Sequence, residues 1–234
     1  MIGADLRSTW ALVPLRGLED AKTRLGAELD PEERLELVLA MATRTLAATR
    51  DAPSIAGTVL VTADPAAADL AARFGARTLV QRLPGLNAAL REARAVAMDL
   101  GATAILVLPI DLPAISPDAL EALVADSASA VAGARSLAGV ASADRPLVLA
   151  VPDRHGGGTN ALLVSPPTAI EPAFGEGSFQ AHASAAATAG VAFRRHEGPL
   201  TLDVDTGADL LDAEAGAAGV EGVGAGSGRG RHGA

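Results

Sequence analysis

Apolar residues fall along this chain in two alternating rhythms. Short continuous runs are followed by stretches in which apolar positions recur every three or four residues. The run TWALVPL at 9–15 predicts a first buried strand. Residues 31–49 predict a helix, with Leu35, Val38, Leu39 and Leu46 at helical spacing, Pro31 in the first turn and Asp30 as N-cap. Strands are predicted at 58–63 and 76–81, with a helix over 65–74 between them that starts at Pro65. A further helix over 86–100 carries Leu86, Leu90, Ala93, Val96 and Leu100 on one side. The segment ATAILVLPID at 102–111 is the strongest strand signal, and its unbroken apolar run suits a strand covered on both faces.

The second half continues the alternation. Residues 116–126 predict a helix capped by Ser116 with Pro117 at its first position. Residues 133–146, rich in Ala, Ser and Gly, read as a loop of low order. Strands are predicted at 147–153 and 159–166, around a glycine-rich bend, and at 191–197. Helices are predicted over 178–190, ended by Gly190, and from 205 to 216. This order predicts a single α/β domain over 1–215, three layers thick, with a mostly parallel sheet. Residues 216–234, Gly- and Ala-rich without periodicity, read as a disordered tail.

Composition narrows the functions open to such a domain. The formal net charge of −9 and 2% aromatic content disfavour a nucleic-acid or anionic-membrane partner. The absence of Cys removes disulfides, thiolate catalysis and Cys-based zinc sites. No N-terminal signal pattern is read, and the apolar runs are about half a membrane span, so a soluble cytoplasmic protein is expected. The stretch RGLEDAKT at 16–23 fails the P-loop pattern, which needs Gly where Arg16 and Ala21 stand. The stretch GVGAGSG at 222–228 lacks the strand, helix and third glycine of a dinucleotide site. His196 reads as lying on a solvated edge.

In a parallel α/β sheet, ligands bind beyond the carboxyl ends of the strands. Asp111 ends the strongest strand, as a turn or capping residue or as a Mg²⁺ ligand. Asp203 and Asp205, in TLDVDT at 201–206, point to one face of an extended segment while Val204 points into a core. Asp205 also suits an N-cap for the last helix. Two like charges on one face become favourable around a divalent cation, and Asp111 would complete a three-carboxylate site. Arg16, Lys22 and Arg24 follow the first strand, either as a solvated charged loop or as a cationic grip on a triphosphate. Glycines 156–158, between two strands, read as a flexible hairpin or as a nest of N–H groups for an anion. Gly177 and Ser178 in FGEGSF begin a helix and offer a second anion site or a simple cap.

The stretches VPLRGLEDAKTRL, LPIDLPAI, PDRHGGGTNALL, FGEGSFQAH and LDVDTGADL, spanning residues 10 to about 212, resemble the guanylyltransferases of coenzyme F420 biosynthesis. Members of that family join GMP from GTP to a phosphorylated three-carbon acid. The resemblance implies a nucleotidyltransferase-type Rossmann-like fold, with GTP and Mg²⁺. It implies that Asp111, Asp203 and Asp205 hold the metal, and that Thr159, Gly175 and Ser178 hold the acid's carboxylate and phosphate. Lys22 and Arg24 match the family's basic AKxRL element and are the expected catalytic residues. Gly85 and Asn87, with Arg16 and Lys22, lie where the nucleotide is expected. Arg16 departs from the family, standing where Lys is expected, and the two are not equivalent at a phosphate. The family's acids are phosphoenolpyruvate, 2-phospho-L-lactate and 3-phosphoglycerate. The alanine-rich composition points to a high-GC bacterium, and bacterial members tend to use the first. A downstream transferase would take up the labile product. His155 and His182 read as structural neighbours of the anion sites. The rival readings are a molybdopterin-type guanylyltransferase of the same fold, a non-catalytic nucleotide-binding protein, and a methyltransferase, which the lack of a glycine-rich loop after strand one disfavours.

Overall fold

The first strand, β1 (Thr9–Leu15), shows how alternation builds two cores at once. Ala11, Val13 and Leu15 pack to one side of the sheet, while Leu12 packs to the other. In the computed structural model, which describes residues 5–15, 29–138 and 146–204, Ala11, Leu12 and Val13 are fully buried, so the middle of β1 is covered on both sides. Helix α1 (Pro31–Asp51) begins as predicted. The Asp30 carboxylate accepts from the N–H groups of Glu32 and Glu33, both at 2.9 Å, and Glu33 accepts from Asp30 N–H at 2.8 Å. That reciprocal box satisfies donors the first turn would otherwise leave open.

Strand β2 (Ile55–Thr62), helix α2 (Ala67–Arg73), strand β3 (Arg77–Val80) and helix α3 (Leu86–Asp99) follow the predicted order. The buried stripe of α3 is Ala89, Leu90, Ala93 and Ala97, whereas Leu86, predicted on the inner side, is 37% exposed. Small alanines let this helix lie close on the sheet, and Leu86 falls on its first, open turn. Strand β4 (Ala104–Val107) is wholly buried. Helix α4 (Pro117–Ala138) is capped by Ser116, whose hydroxyl accepts from Ala119 N–H at 3.1 Å. The helix runs through 133–138, correcting the expectation of a loop from 133. Alanine-rich sequence has high intrinsic helix propensity, and one glycine does not stop it.

Strands β5 (Leu147–Pro152) and β6 (Thr159–Ser165) form an antiparallel pair joined by the glycine-rich bend. Helix α5 (Ser178–Thr188) and edge strand β7 (Ala192–Arg195) complete the described elements, followed by a 3-10 turn at Pro199–Thr201. The predicted last helix and tail lie outside the described residues. The sheet order is β3-β2-β1-β4-β6-β5-β7, and only β6 runs against the rest. One face is covered by α1, α2 and α4, and the other by α3 and α5, giving the expected three layers. His196, just past β7, is not the solvated residue expected. Its Nδ1 lies 2.8 Å from Asp126 Oδ2 on α4, and its side chain is only 11% exposed.

Candidate active site

The chain leaves β1 toward β2 on one side of the sheet and later places β4 on the other. Where adjacent parallel strands connect in opposite directions, their carboxyl ends frame a crevice. Asp111 lies four residues beyond β4, at this end of the sheet. Antiparallel β6 pairs Leu162 with Val107, so its first residues, Thr159 and Asn160, emerge at the same end. The sequence-predicted metal and acid groups therefore share one rim.

A backbone bond closes the distance from the other end of the sequence. Val204 N–H donates to Asp111 O at 2.9 Å, laying the segment of Asp203 against that of Asp111. Val204 is buried, as the alternation predicts, and Asp203 is half-buried. Asn160 holds this arrangement from below. Its side-chain N–H₂ donates to Leu200 O at 3.0 Å within the buried interior, fixing the 3-10 turn that delivers Asp203. Sequence reasoning missed this role, although the Thr-Asn pair after the glycines marked the place. Among the described residues no three His, Asp or Glu side chains gather as metal ligands. Asp205, the third predicted carboxylate, lies outside the described residues, as do Arg16, Lys22 and Arg24.

The residues expected to hold the acid, Thr159, Gly175 and Ser178, are brought into one cluster. Ser178 Oγ donates to Thr159 Oγ1 at 3.1 Å, and both residues are almost fully buried. Gly175 takes φ 140°, a left-handed value that favours glycine, and its carbonyl accepts from Ser178 N–H at 3.1 Å. Phe179 N–H donates to Gly157 O at 3.2 Å, so the glycine-rich bend and the start of α5 are bonded to each other. The bend is not the open anion nest expected. Gly157 and Gly158 N–H donate to the two carboxylate oxygens of Asp153 at 2.9 and 2.8 Å, and Gly156 N–H donates to Asp153 O at 3.0 Å. A Cβ added at Gly158 would lie 2.6 Å from Asp153 Oδ2. The chain's own carboxylate occupies the nest.

His182, one turn after Ser178, joins the cluster. Its Nδ1 is 3.2 Å from Thr159 Oγ1, and its Nε2 accepts from Ala173 N–H at 3.0 Å. The ring has no solvent exposure, and that burial pushes its pKa down to about 4. The i, i+4 spacing from Ser178 placed both on one helix face and was the available signal. His155, by contrast, is exposed on the bend.

On the expected nucleotide side, Gly85 caps α3 with φ 98°. The Asn87 amide is bonded to the backbone of Phe174. Its Nδ2 donates to Phe174 O at 2.9 Å and its Oδ1 accepts from Phe174 N–H at 2.8 Å. It thus ties the start of α3 to the residue preceding Gly175. The structure thus joins Asn87 to the loop of Phe174 and Gly175.

The chain is similar to known proteins in sequence and in fold. Residues 9–215 match the family model described as "Guanylyl transferase CofC like". A phosphoenolpyruvate guanylyltransferase of Sphaerobacter thermophilus is 42% identical over 205 residues, covering 87% of this chain and 91% of that protein. One of Rubrobacter xylanophilus is 42% identical over 209 residues, covering 89% and 94%. In fold, the chain is similar to a putative nucleotide-diphospho-sugar transferase from Desulfovibrio desulfuricans, with a TM-score of 0.65 at 16% identity, covering 86% of this chain and 84% of that one. It is also similar to a nucleotidyl transferase from Methanothermobacter, with a TM-score of 0.63 at 18% identity, covering 91% and 99%. The fold is that of a nucleotidyltransferase, and the chain belongs to the CofC-like guanylyl transferase family.

Proposed function

We propose that this enzyme transfers GMP from GTP to phosphoenolpyruvate, with release of pyrophosphate, in coenzyme F420 biosynthesis. The observation that carries the proposal is that the segments of Asp111 and Asp203 are bonded to each other beyond the same end of the sheet as a buried hydroxyl pair, in a chain of the guanylyl transferase family. The names of the relatives favour phosphoenolpyruvate over 2-phospho-L-lactate and 3-phosphoglycerate, and favour neither a molybdopterin-type enzyme nor a non-catalytic binder.

The chemistry asks little of acid–base groups. A phosphate monoester is largely dianionic near neutral pH, so one of its oxygens attacks the α-phosphorus without a general base. The new P–O bond forms as the bond from the α-phosphorus to the bridging oxygen breaks, and pyrophosphate leaves with that electron pair. Positioning and charge neutralisation are what remain. Thr159, Ser178 and the Gly175 backbone hold the acid. Arg16, Lys22 and Arg24 grip the triphosphate, with Gly85 on the nucleoside side. Asp111 and Asp203, on bonded segments, present the hard oxygen donors that Mg²⁺ prefers, and Asp205 is the third donor of the set. Mg²⁺ there would offset the repulsion between the two anions. A cytoplasmic location and a downstream transferase that consumes the labile product belong to the same proposal. No described helix is long and apolar enough to cross a membrane.

Pyrophosphate release, measured with GTP, Mg²⁺ and each of the three acids, is the test. Release is expected with phosphoenolpyruvate and with GTP in preference to CTP or ATP. Asp203→Ala should abolish it without lowering the melting temperature by more than a few degrees. Release with none of the acids, or full activity in Asp203→Ala, defeats the proposal.

A further inference from the structure

Counting hydrogens around His182 gives the imidazole a defined task. Ala173 N–H points at Nε2, so that nitrogen carries a lone pair. The buried ring is neutral, and its one N–H hydrogen is therefore on Nδ1. Nδ1 faces Thr159 Oγ1 at 3.2 Å and donates to it. The hydroxyls of Thr159 and Ser178, 3.1 Å apart, bring two hydrogens between them. One closes the bond that joins them. The other cannot turn to His182, whose facing nitrogen already bears a hydrogen.

We propose that His182 is a positioning residue of the acid site: its Nδ1–H, held toward Thr159, leaves one hydroxyl hydrogen of the Thr159–Ser178 pair to donate to an anionic oxygen of the substrate. The inference rests on the reading of this pair as the acid's binding site. The opposite tautomer would absorb that hydrogen and turn a lone pair toward the anion. What locks the tautomer is the Ala173–Phe174 backbone. Asn87 clamps the backbone N–H and C=O of Phe174, and the Phe174 ring meets His182 edge-on at 5.0 Å between centroids. Asn87, on the expected nucleotide side, thereby holds the donor that sets the acid side's hydrogen-bond polarity.

Two substitutions separate positioning from mere support. The Asn amide places an N–H near the position of Nδ1, whereas the Gln amide places its polar groups near Nε2. His182→Asn keeps the donor to Thr159 and gives up Ala173; His182→Gln does the reverse. Phosphoenolpyruvate affinity is read by calorimetry, with pyrophosphate release and the KM for GTP alongside. The expected result is affinity within about threefold of wild type for His182→Asn and a loss of about tenfold or more for His182→Gln, with the KM for GTP unmoved in both. In the wild-type chain, nitrogen NMR of the imidazole should show the Nδ1–H tautomer near neutral pH, and this arm decides if either variant fails to fold. An Nε2–H tautomer, Gln binding as well as Asn, or a wild-type chain that does not bind phosphoenolpyruvate overturns the inference. Wild-type binding without pyrophosphate release would instead remove the proposed function and leave the inference standing.

Discussion

On α5 His182 has no solvent exposure, and burial drops its pKa from 6.5 to about 4. The unfolded chain takes up a proton near pH 6.5 and the folded chain does not. The unfolded state therefore binds more protons below that pH, and stability falls as pH drops from about 6.5 toward 4. A shift of this size corresponds to roughly 3 kcal/mol lost across the window and nothing lost above it. Urea unfolding at a series of pH values should show this decline, and His182→Asn should lack that component. An equal acid slope in both proteins would show that the ring titrates normally. At this scale the sequence was informative about carboxylates and less so about the imidazole. Asp111 and Asp203 are legible because charge at the end of an apolar strand, or opposite a core-facing Val204, calls for a partner. The role of His182 depends on which nitrogen bears the hydrogen. That is decided by Ala173, which is distant in neither sequence nor space but is silent as a letter.

The β5–β6 hairpin shows what an element hides when its glycines are read alone. Glycines 156–158 correctly mark a bend, but their N–H groups are directed inward to Asp153. An Asp four and five residues before the acceptor-seeking glycines was the legible cue to an internal cap. Asp153→Ala leaves two N–H groups without that acceptor and should cost about 1–3 kcal/mol. Thermal denaturation measures the loss, and amide exchange at Gly157 and Gly158 should speed up. Unchanged exchange would mean the bend holds itself. Because Phe179 N–H bonds to Gly157 O, the same substitution should also weaken acid binding through α5. Elsewhere, caps made boundaries legible: Asp30 and Ser116 start their helices where predicted. The end of α4 was misread because alanine and serine serve loop and helix alike, and the helix choice is made by packing.

At the scale of the molecule, what the sequence conceals is adjacency. Local patterns identify strands, but nothing local says that β4 lies beside β1, or that β6 inserts between β4 and β5. That order brings together residues far apart in the chain, and the bond between Val204 and mid-chain Asp111 is its outcome at the site. A cation bound between Asp111 and Asp203 would link β4 to the segment after β7, so it would stabilise only the assembled fold. Binding to the native state alone raises stability by about 1.4 kcal/mol at ten times the dissociation constant. For a chain of this length, that is a rise of roughly 2–6 °C in melting temperature. Mg²⁺ added to metal-free wild type should produce that rise, and Asp203→Asn should abolish it while leaving the metal-free fold intact. The comparison also reports on Asp205, since Asp205→Asn should reduce the rise if the third carboxylate shares the ion. A rise that survives in Asp203→Asn would place the ion elsewhere and leave the carboxylate pair without its proposed occupant.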